Sequence, residues 1–392
     1  MAKVLLALSE RKRDMQNGRE LEFLKEVKAF CRKHVDPFCE QWEKEESLPS
    51  EIFSVAGKLG LMGMLAPEKF GGLGLNFITY IAALREVARH FGALALNLAT
   101  HNSLCIGQIL KFGSAEQKER CLPRLASGEW LSAWALTEPA AGSDCGSMET
   151  TAQKKNGAWE LNGRKMFITQ GGRADILVVI AVTGTKSDES KELTAFLVNR
   201  DQVRSVRKIP TYGMKASDTS ELGFERAKAE LLGDQGQGRA QALLMLDRGR
   251  IGIAALALGI AEAAYDAARR HALKRKQFGR SISDNQAVQW MLADSATEID
   301  AAELLITRAA EMQDQGLKTT KESAMAKLFA SEAATRICNR ALQIHGGYGY
   351  SRDYPLERYL RDVKLCEIAE GTSEIQRLLI ARKVLKEAET EV

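Results

Sequence analysis

Four short segments of this 392-residue chain bring together small residues, hydroxyls, aromatics and isolated charges in patterns suited to a large flat ligand. In Ala135-Leu136-Thr137-Glu138-Pro139-Ala140-Ala141-Gly142-Ser143-Asp144, the small residues let the backbone approach such a ligand closely, and Thr137 and Ser143 offer hydroxyls at its rim. Taken alone, the segment serves equally well as an ordinary loop. Phe167-Ile168-Thr169-Gln170-Gly171 has strand character, so Phe167 and Thr169 are expected on one face of a sheet, where an aromatic is ordinarily core packing. Arg275-Lys276-Gln277-Phe278-Gly279, running on to Gln286, offers a guanidinium suited to phosphate charge. The last segment opens at Gln343-Ile344-His345-Gly346-Gly347-Tyr348-Gly349-Tyr350 and closes at Glu370-Gly371-Thr372-Ser373-Glu374-Ile375-Gln376-Arg377. Its glycines mark either a helix end or a place where backbone must come near a bulky group. Glu370 lies between Ala369 and Gly371, with no helical pattern before Ser373.

The elements that must position these segments fall into three regions. From about Arg19 to Leu131 apolar residues recur at helical spacing, as in Leu21, Phe23, Leu24, Val27, Phe30 and Cys31. Ser50 is expected to cap a helix, and Gly71-Gly72-Leu73-Gly74 to turn the chain; it lacks the Lys-Ser/Thr ending of a phosphate-binding loop. Between Ser132 and Gly238 the pattern becomes short and β-branched. Trp159-Glu160-Leu161 should turn at Asn162-Gly163 into a second strand over Lys165–Thr169, with further strands at Ile176–Val182 and Thr194–Val198. After Gly238 helical character returns, Ala-rich over Ile251–Leu273 and continuing over Met291–Met312 and Glu322–Ile344. Asp247-Arg248-Gly249-Arg250 is expected to open this long helix as a charged first turn. The reading is an α+β protein of three domains: helices over 1–131, a small β-barrel or sheet domain over 132–238, and a four-helix-bundle-like domain over 239–392.

Composition narrows the class. The chain is 45% hydrophobic and 27% charged, and its 55 basic residues nearly balance 51 acidic ones for a net charge of +4. No basic block marks a nucleic-acid face, Arg11-Lys12-Arg13 reading as a solvated turn. The apolar run Val4–Leu8 is too short for a signal peptide or a membrane span. Seven scattered cysteines without a CxxC pair suggest neither a zinc site nor a disulfide framework, and no metal is expected. A cytoplasmic protein with reduced thiols fits these features.

In order and spacing, the four segments resemble the acyl-CoA dehydrogenase family over nearly the whole chain. The resemblance implies FAD as cofactor, α,β-dehydrogenation of an acyl-CoA thioester to the 2-enoyl-CoA, and electron-transfer flavoprotein as electron acceptor. It places cofactor contacts at Leu136, Thr137, Gly142 and Ser143, and at Phe167, Ile168 and Thr169, with Phe167 covering the isoalloxazine ring. Many relatives have Trp at that position; Phe167 still stacks but lacks the indole N–H. Further contacts fall on Arg275, Gln277, Phe278 and Gln286, on Gln343, Gly346 and Gly347, and on Thr372 and Glu374. Because the Gln343–Gly347 stretch touches FAD bound mainly by another subunit in the family, a homo-oligomer is implied, a tetramer, with the site completed across subunits. Substrate contacts are implied at Ser143, Asp247, Arg250 and Gly371.

Glu370 matches the family's proton acceptor. Burial beside substrate and flavin would raise it from about 4.3 toward the roughly 6–7 that suits a general base. A backbone N–H of the same turn would steady the developing enolate, and flavin N5 would take the β-hydride. Some branched-chain relatives carry their base at the position held here by Gly249, which leaves Glu370 alone in that role. Many relatives also have Tyr immediately before the base, where this chain has Ala369. Ala369 and Gly249 together widen the space around the α and β carbons, favouring branched, cyclic or aryl acyl groups unless neighbouring side chains refill it. Ile251–Leu258 resembles the short-chain members, and chain length stays open. Two other functions remain to be weighed: an acyl-CoA oxidase using oxygen, and a non-catalytic flavin- or CoA-binding assembly protein.

Overall fold

The computed structural model describes residues 18–390; the expectations placed on Val4–Leu8 and Arg11-Lys12-Arg13 lie outside the described residues. The chain opens with helices α1 (Gly18–His34), α2 (Cys39–Glu45), α3 (Ser50–Lys58), α4 (Phe77–His90) and α5 (Gly92–Ala99). A π-helical stretch, Thr100–Ile106, leads into α6 (Gly107–Phe112) and α7 (Ala115–Ser127). In α1 the buried stripe is Phe23, Val27, Phe30 and Cys31, as its spacing requires, whereas Leu21 is exposed. Ser50 does not cap α3. Pro49 holds the cap position, and the Ser50 hydroxyl instead accepts a hydrogen bond from Arg173 at 2.8 Å.

Seven strands follow: β1 (Ser132–Ala135), β2 (Thr151–Lys155), β3 (Ala158–Thr169), β4 (Ile176–Thr185), β5 (Lys191–Asn199), β6 (Val203–Lys208) and β7 (Thr219–Leu231). They pair in the order β1-β4-β2-β3-β7-β5, and β4 also pairs β5, which closes the sheet into a small barrel with β6 alongside β7. Strand β4 is apolar over residues 176–182 because both of its faces are covered along most of that stretch. Ile176, Val178 and Ile180 pack with Leu122 and Leu125 of α7, while Leu177 and Val179 point into the barrel with Phe196 and Leu222.

The expected turn at Asn162-Gly163 is not one. Strand β3 runs straight through it, bulged between Leu161 and Gly163, because Asn162 pairs with Thr151. Gly163 lies so close to Thr150 that a Cβ there would collide with it. The hairpin turns one Asn-Gly earlier, at Asn156-Gly157, where φ is +50° and +83°, the pair of left-handed conformations that a two-residue turn needs.

The 37-residue helix α8 (Gly238–Lys274) then crosses the molecule. Two short strands, β8 (Lys276–Gln277) and β9 (Arg280–Ser281), make a hairpin. Helices α9 (Gln286–Asp314), α10 (Thr320–His345), α11 (Gly347–Tyr350), α12 (Leu356–Ile368) and α13 (Ser373–Glu389) complete the chain. Helix α8 is long and apolar enough to cross a membrane by length and composition, but 83% of its apolar window is buried inside the protein. One core joins it to α1, α4, α5, α10 and α12. Asp247-Arg248-Gly249-Arg250 does not open this helix. Helix-forming residues from Ala240 onward carry it back to Gly238, so the tetrad lies well inside the helix, with Asp247, Gly249 and Arg250 buried rather than capping.

Candidate functional site

Helix α12 stops at Ile368 and α13 begins at Ser373. Between them Glu370 and Gly371 both take positive φ, +56° and +99°. For a glutamate this is a costly backbone, of order 1 kcal/mol or more, and such residues persist only where the surroundings over-determine them. Three side chains do so. Lys327 of α10 donates to the Gly371 carbonyl at 2.8 Å; Gln376 of α13 donates to the same oxygen at 2.8 Å and to Glu370 O at 3.3 Å; Arg250 Nε of α8 reaches Glu370 O at 3.4 Å. Thr372 caps α13 through Ile375 N, while Glu374 lies exposed on its first turn.

The turned backbone aims the Glu370 side chain inward. The residue as a whole is half-buried, but both carboxylate oxygens are sealed from solvent and accept no hydrogen bond among the described residues. Burial pushes the carboxyl up to about 8, against the opposing pull of Arg250 and Lys327. The carboxylate rests directly on Gly249, where any Cβ would overlap it. Sequence alone identified Gly249 as small; the structure makes it the seat of the carboxylate. Asp247 and Arg250, one turn apart on α8, pair at 2.7 Å, and Thr320 donates to the other Asp247 oxygen at 2.7 Å. Lys327 and Thr320 carried no motif signal, since each lies in a helix whose local pattern is ordinary, and Gln376, though inside the fourth segment, was assigned no role.

A second group of expected residues gathers where the 136–143 segment meets β3. Lys165, fully buried, donates to Leu136 O at 2.8 Å and pairs with Glu138 at 2.7 Å. Glu138 also accepts from the Glu149 and Thr150 amides, and Met166 N donates to Thr137 O at 2.8 Å. These bonds pin Thr137 beside the outward-facing part of β3. Phe167 and Thr169 do not share a face by simple alternation. The register shifts between Lys165 and Ile168, and Phe167, at φ +59°, is 57% exposed while Thr169 is half-buried and Ile168 packs in the barrel core. Gly142 and Ser143 lie exposed on the adjoining loop.

The third group sits apart. Arg275 lies over the Tyr348 ring at 5.4 Å, and His271 stacks on His345. Phe278, at the tip of the β8–β9 hairpin, is fully exposed, and Gln277, Gln286, Gln343, Gly346 and Gly347 are exposed around it. Among the described residues, no hydrogen bond, ion pair or ring contact joins this group to the Phe167 group within the chain.

Three family models cover almost the whole chain: acyl-CoA dehydrogenase N-terminal domain over residues 18–129, middle domain over 133–227, and C-terminal domain over 236–385. The chain belongs to the acyl-CoA dehydrogenase family. An acyl-CoA dehydrogenase of Bacillus subtilis (strain 168) is 46% identical over 370 residues, spanning 92% of this chain and 96% of that one. The solved butyryl-CoA dehydrogenase of Megasphaera elsdenii superposes with a TM-score of 0.90 at 38% identity, covering 93% of this chain and 98% of that one. A glutaryl-CoA dehydrogenase of Mycobacterium smegmatis, solved in complex with FADH2, superposes with a TM-score of 0.88 at 28% identity, over 95% and 96% of the two chains.

As a member of this acyl-CoA dehydrogenase family, the chain is an FAD-dependent oxidoreductase. Its residues fit that cofactor. Phe167 presents a large exposed ring from a strained backbone position, beside the pinned carbonyl edge of Thr137. At Gly142, Gly346 and Gly347 a Cβ would project into open space, the condition for close approach of a bulky ligand.

Proposed function

We propose that this acyl-CoA dehydrogenase removes the α-proton of an acyl-CoA thioester with Glu370 and yields the 2-enoyl-CoA. The observation that carries the reading is the Glu370 carboxylate: sealed from water, without a hydrogen-bond partner among the described residues, and seated on Gly249. A carboxylate raised to about 8 by burial holds an abstracted proton well and still ionises in the working range of a general base. Bound FAD supplies the acceptor for the β-hydride.

The chain's own residues divide the remaining work. The N–H groups of Glu370 and Gly371, which donate to no other backbone carbonyl among the described residues, are placed to steady the thioester oxygen as negative charge develops. Asp247, Arg250 and Ser143 hold the CoA side of the substrate, with Thr320 fixing the Asp247 carboxylate. Leu136, Thr137, Gly142, Ser143, Phe167, Ile168 and Thr169 bind the flavin, Ile168 through its backbone since its side chain is buried. Thr372 and Glu374, at the start of α13, contact the cofactor near the base.

Arg275, Gln277, Phe278, Gln286, Gln343, Gly346 and Gly347 complete the FAD site of a second subunit. Their separation from the Phe167 group supports this, as do the fully exposed Phe278 and the exposed Leu273 and Trp290 of the same stretch of chain. The assembly is then a homotetramer. We place its domains at 1–131, 132–238 and 239–392, its location in the cytoplasm, and its electron acceptor as an electron-transfer flavoprotein.

The space over Gly249 is taken by the Glu370 carboxylate, and Ala369 leaves little side-chain bulk beside the turn, which favours branched, cyclic or aryl acyl groups. The test is an anaerobic titration of the purified yellow protein with butyryl-, isobutyryl- and cyclohexanecarbonyl-CoA, following loss of the flavin's visible absorption. Bleaching by one class establishes both reaction and substrate. A clear preference for the straight chain would end the wide-pocket reading, and no bleaching by any of them would move the assignment to a binding role. Glu370→Gln should keep FAD and acyl-CoA binding but lose flavin reduction; near-normal reduction would remove Glu370 from the mechanism.

A further inference from the structure

Lys327 is a fully buried lysine for which the site described so far has no chemical use. A protonated amine taken out of water normally demands a bonded carboxylate. Among the described residues Lys327 has none: it donates to a neutral acceptor, the Gly371 carbonyl, at 2.8 Å. The ionisable groups that act on it are Cys366 and Glu367 of α12, Glu370 of the turn and Arg250 of α8. Cys366 is buried with its thiol held protonated, and Glu367 is engaged by Lys364 and Thr335. The Glu370 carboxylate, unpartnered and one residue from the carbonyl that Lys327 grips, is thus the one counter-charge left unsatisfied in its reach.

We propose that Lys327 is a positioning residue for the base: its ammonium charge favours the ionised Glu370 carboxylate, and its N–H fixes the left-handed Glu370-Gly371 turn. The inference rests on Glu370 being the base. Two observations separate it from a mere structural clamp. The turn already has a neutral clamp in Gln376, which donates to both the Glu370 and Gly371 carbonyls, so a second donor is redundant for geometry alone. A neutral donor would also have avoided the burial that drags the Lys327 ammonium down to about 8.

The groups facing Glu370 are Arg250 from α8, Lys327 from α10 and the buried Tyr80 phenol from α4. Of the two cations, Arg250 is already paired with Asp247 at 2.7 Å, which leaves Lys327 the cation without a bonded counter-ion. Removing its charge therefore makes ionisation of Glu370 harder.

The test uses Lys327→Gln, which keeps a hydrogen-bond donor for Gly371 O and removes the charge, and Lys327→Arg, which keeps the charge. In anaerobic stopped-flow reduction of the FAD-loaded enzyme, the acid limb of the rate against pH should move up by about one pH unit in Lys327→Gln. In Lys327→Arg it should stay with the parent. A readout independent of turnover comes from a double-mutant cycle in melting temperature. At about pH 8.5, between the carboxyl's value in the parent and its raised value in Lys327→Gln, Glu370→Gln should stabilise the Lys327→Gln background more than the parent, by about 1 °C.

Equal stabilisation in both backgrounds, or a Lys327→Gln limb superimposed on the parent's with only a lower rate, would reduce Lys327 to a clamp and overturn the proposal. Should Lys327→Gln fail to load FAD, Lys327→Arg decides, because a limb displaced by a full pH unit despite the retained charge would refute it. Flavin reduction surviving in Glu370→Gln would instead remove the base itself, an outcome distinct from either.

Discussion

Replacing Glu370 by Gln should make the protein more stable, by an amount that depends on pH in a way the burial of its carboxylate dictates. In the folded chain the carboxyl is raised from the ordinary 4.5 to about 8, burial being the cause and the Arg250 and Lys327 charges opposing it. Between those two values the native protein holds a proton that the unfolded chain releases, so stability falls as pH rises, at ~1.4 kcal/mol per pH unit. The sign follows from the raised value: the contribution is whole below pH 4.5 and lost by about pH 8. At pH 7 the loss amounts to about 3 kcal/mol. With an unfolding entropy near 2.1 cal/mol/K per residue, a chain of 392 residues converts that into about 4 °C. Glutamine has the shape of the protonated acid and does not titrate. Melting of FAD-loaded parent and variant, at one protein concentration and without substrate, should therefore show curves that nearly coincide at pH 5 and separate by about 4 °C at pH 7. A separation independent of pH would mean that the carboxylate is solvated, and the account of its tuning by burial would fail.

Gly249→Ala would drive a methyl into the Glu370 carboxylate, so flavin reduction should fall by about two orders of magnitude while FAD content is unchanged; unaltered reduction would show that the carboxylate does not rest there. Lys165→Met strands the buried Glu138 carboxylate and unpins the Leu136 carbonyl, for a loss of about 3–5 kcal/mol in denaturant unfolding. Phe167→Ala removes the exposed ring assigned to the flavin and should weaken FAD retention by up to about tenfold in equilibrium dialysis, with little change in stability because the ring covers no core. Below about pH 8 the rate of flavin reduction should climb up to tenfold per pH unit as Glu370 ionises; a rate flat across that range would place the proton elsewhere.

Much of this protein was legible in its residues. Helical spacing located α1 and the long C-terminal helices, and β-branched runs located β4 and β5, because burying a face imposes a period on the sequence. The four segments with their glycines and Glu370 marked the family, since cofactor and substrate chemistry constrain residue type as well as spacing. Asn156-Gly157 and Asn162-Gly163 are locally equivalent, and only pairing of Asn162 with Thr151 decides which one turns. Asp247 to Arg250 looked like a helix start, but the strong helix formers before it, Ala240 to Leu246, extend α8 back to Gly238.

The environment of the Glu370 carboxyl belongs wholly to tertiary structure. Glu370 is one acidic residue among 51 in the sequence. What distinguishes it physically is a left-handed turn held by Lys327 from 43 residues upstream and Arg250 from 120 upstream, and a seat on Gly249. Type and spacing within a segment are local properties, so the sequence alone determined the long helical stretches, strands β3 to β5 and which carboxylate to examine. Desolvation and Coulomb interaction depend on which distant atoms share a few ångströms of space, and only the folded chain decided those.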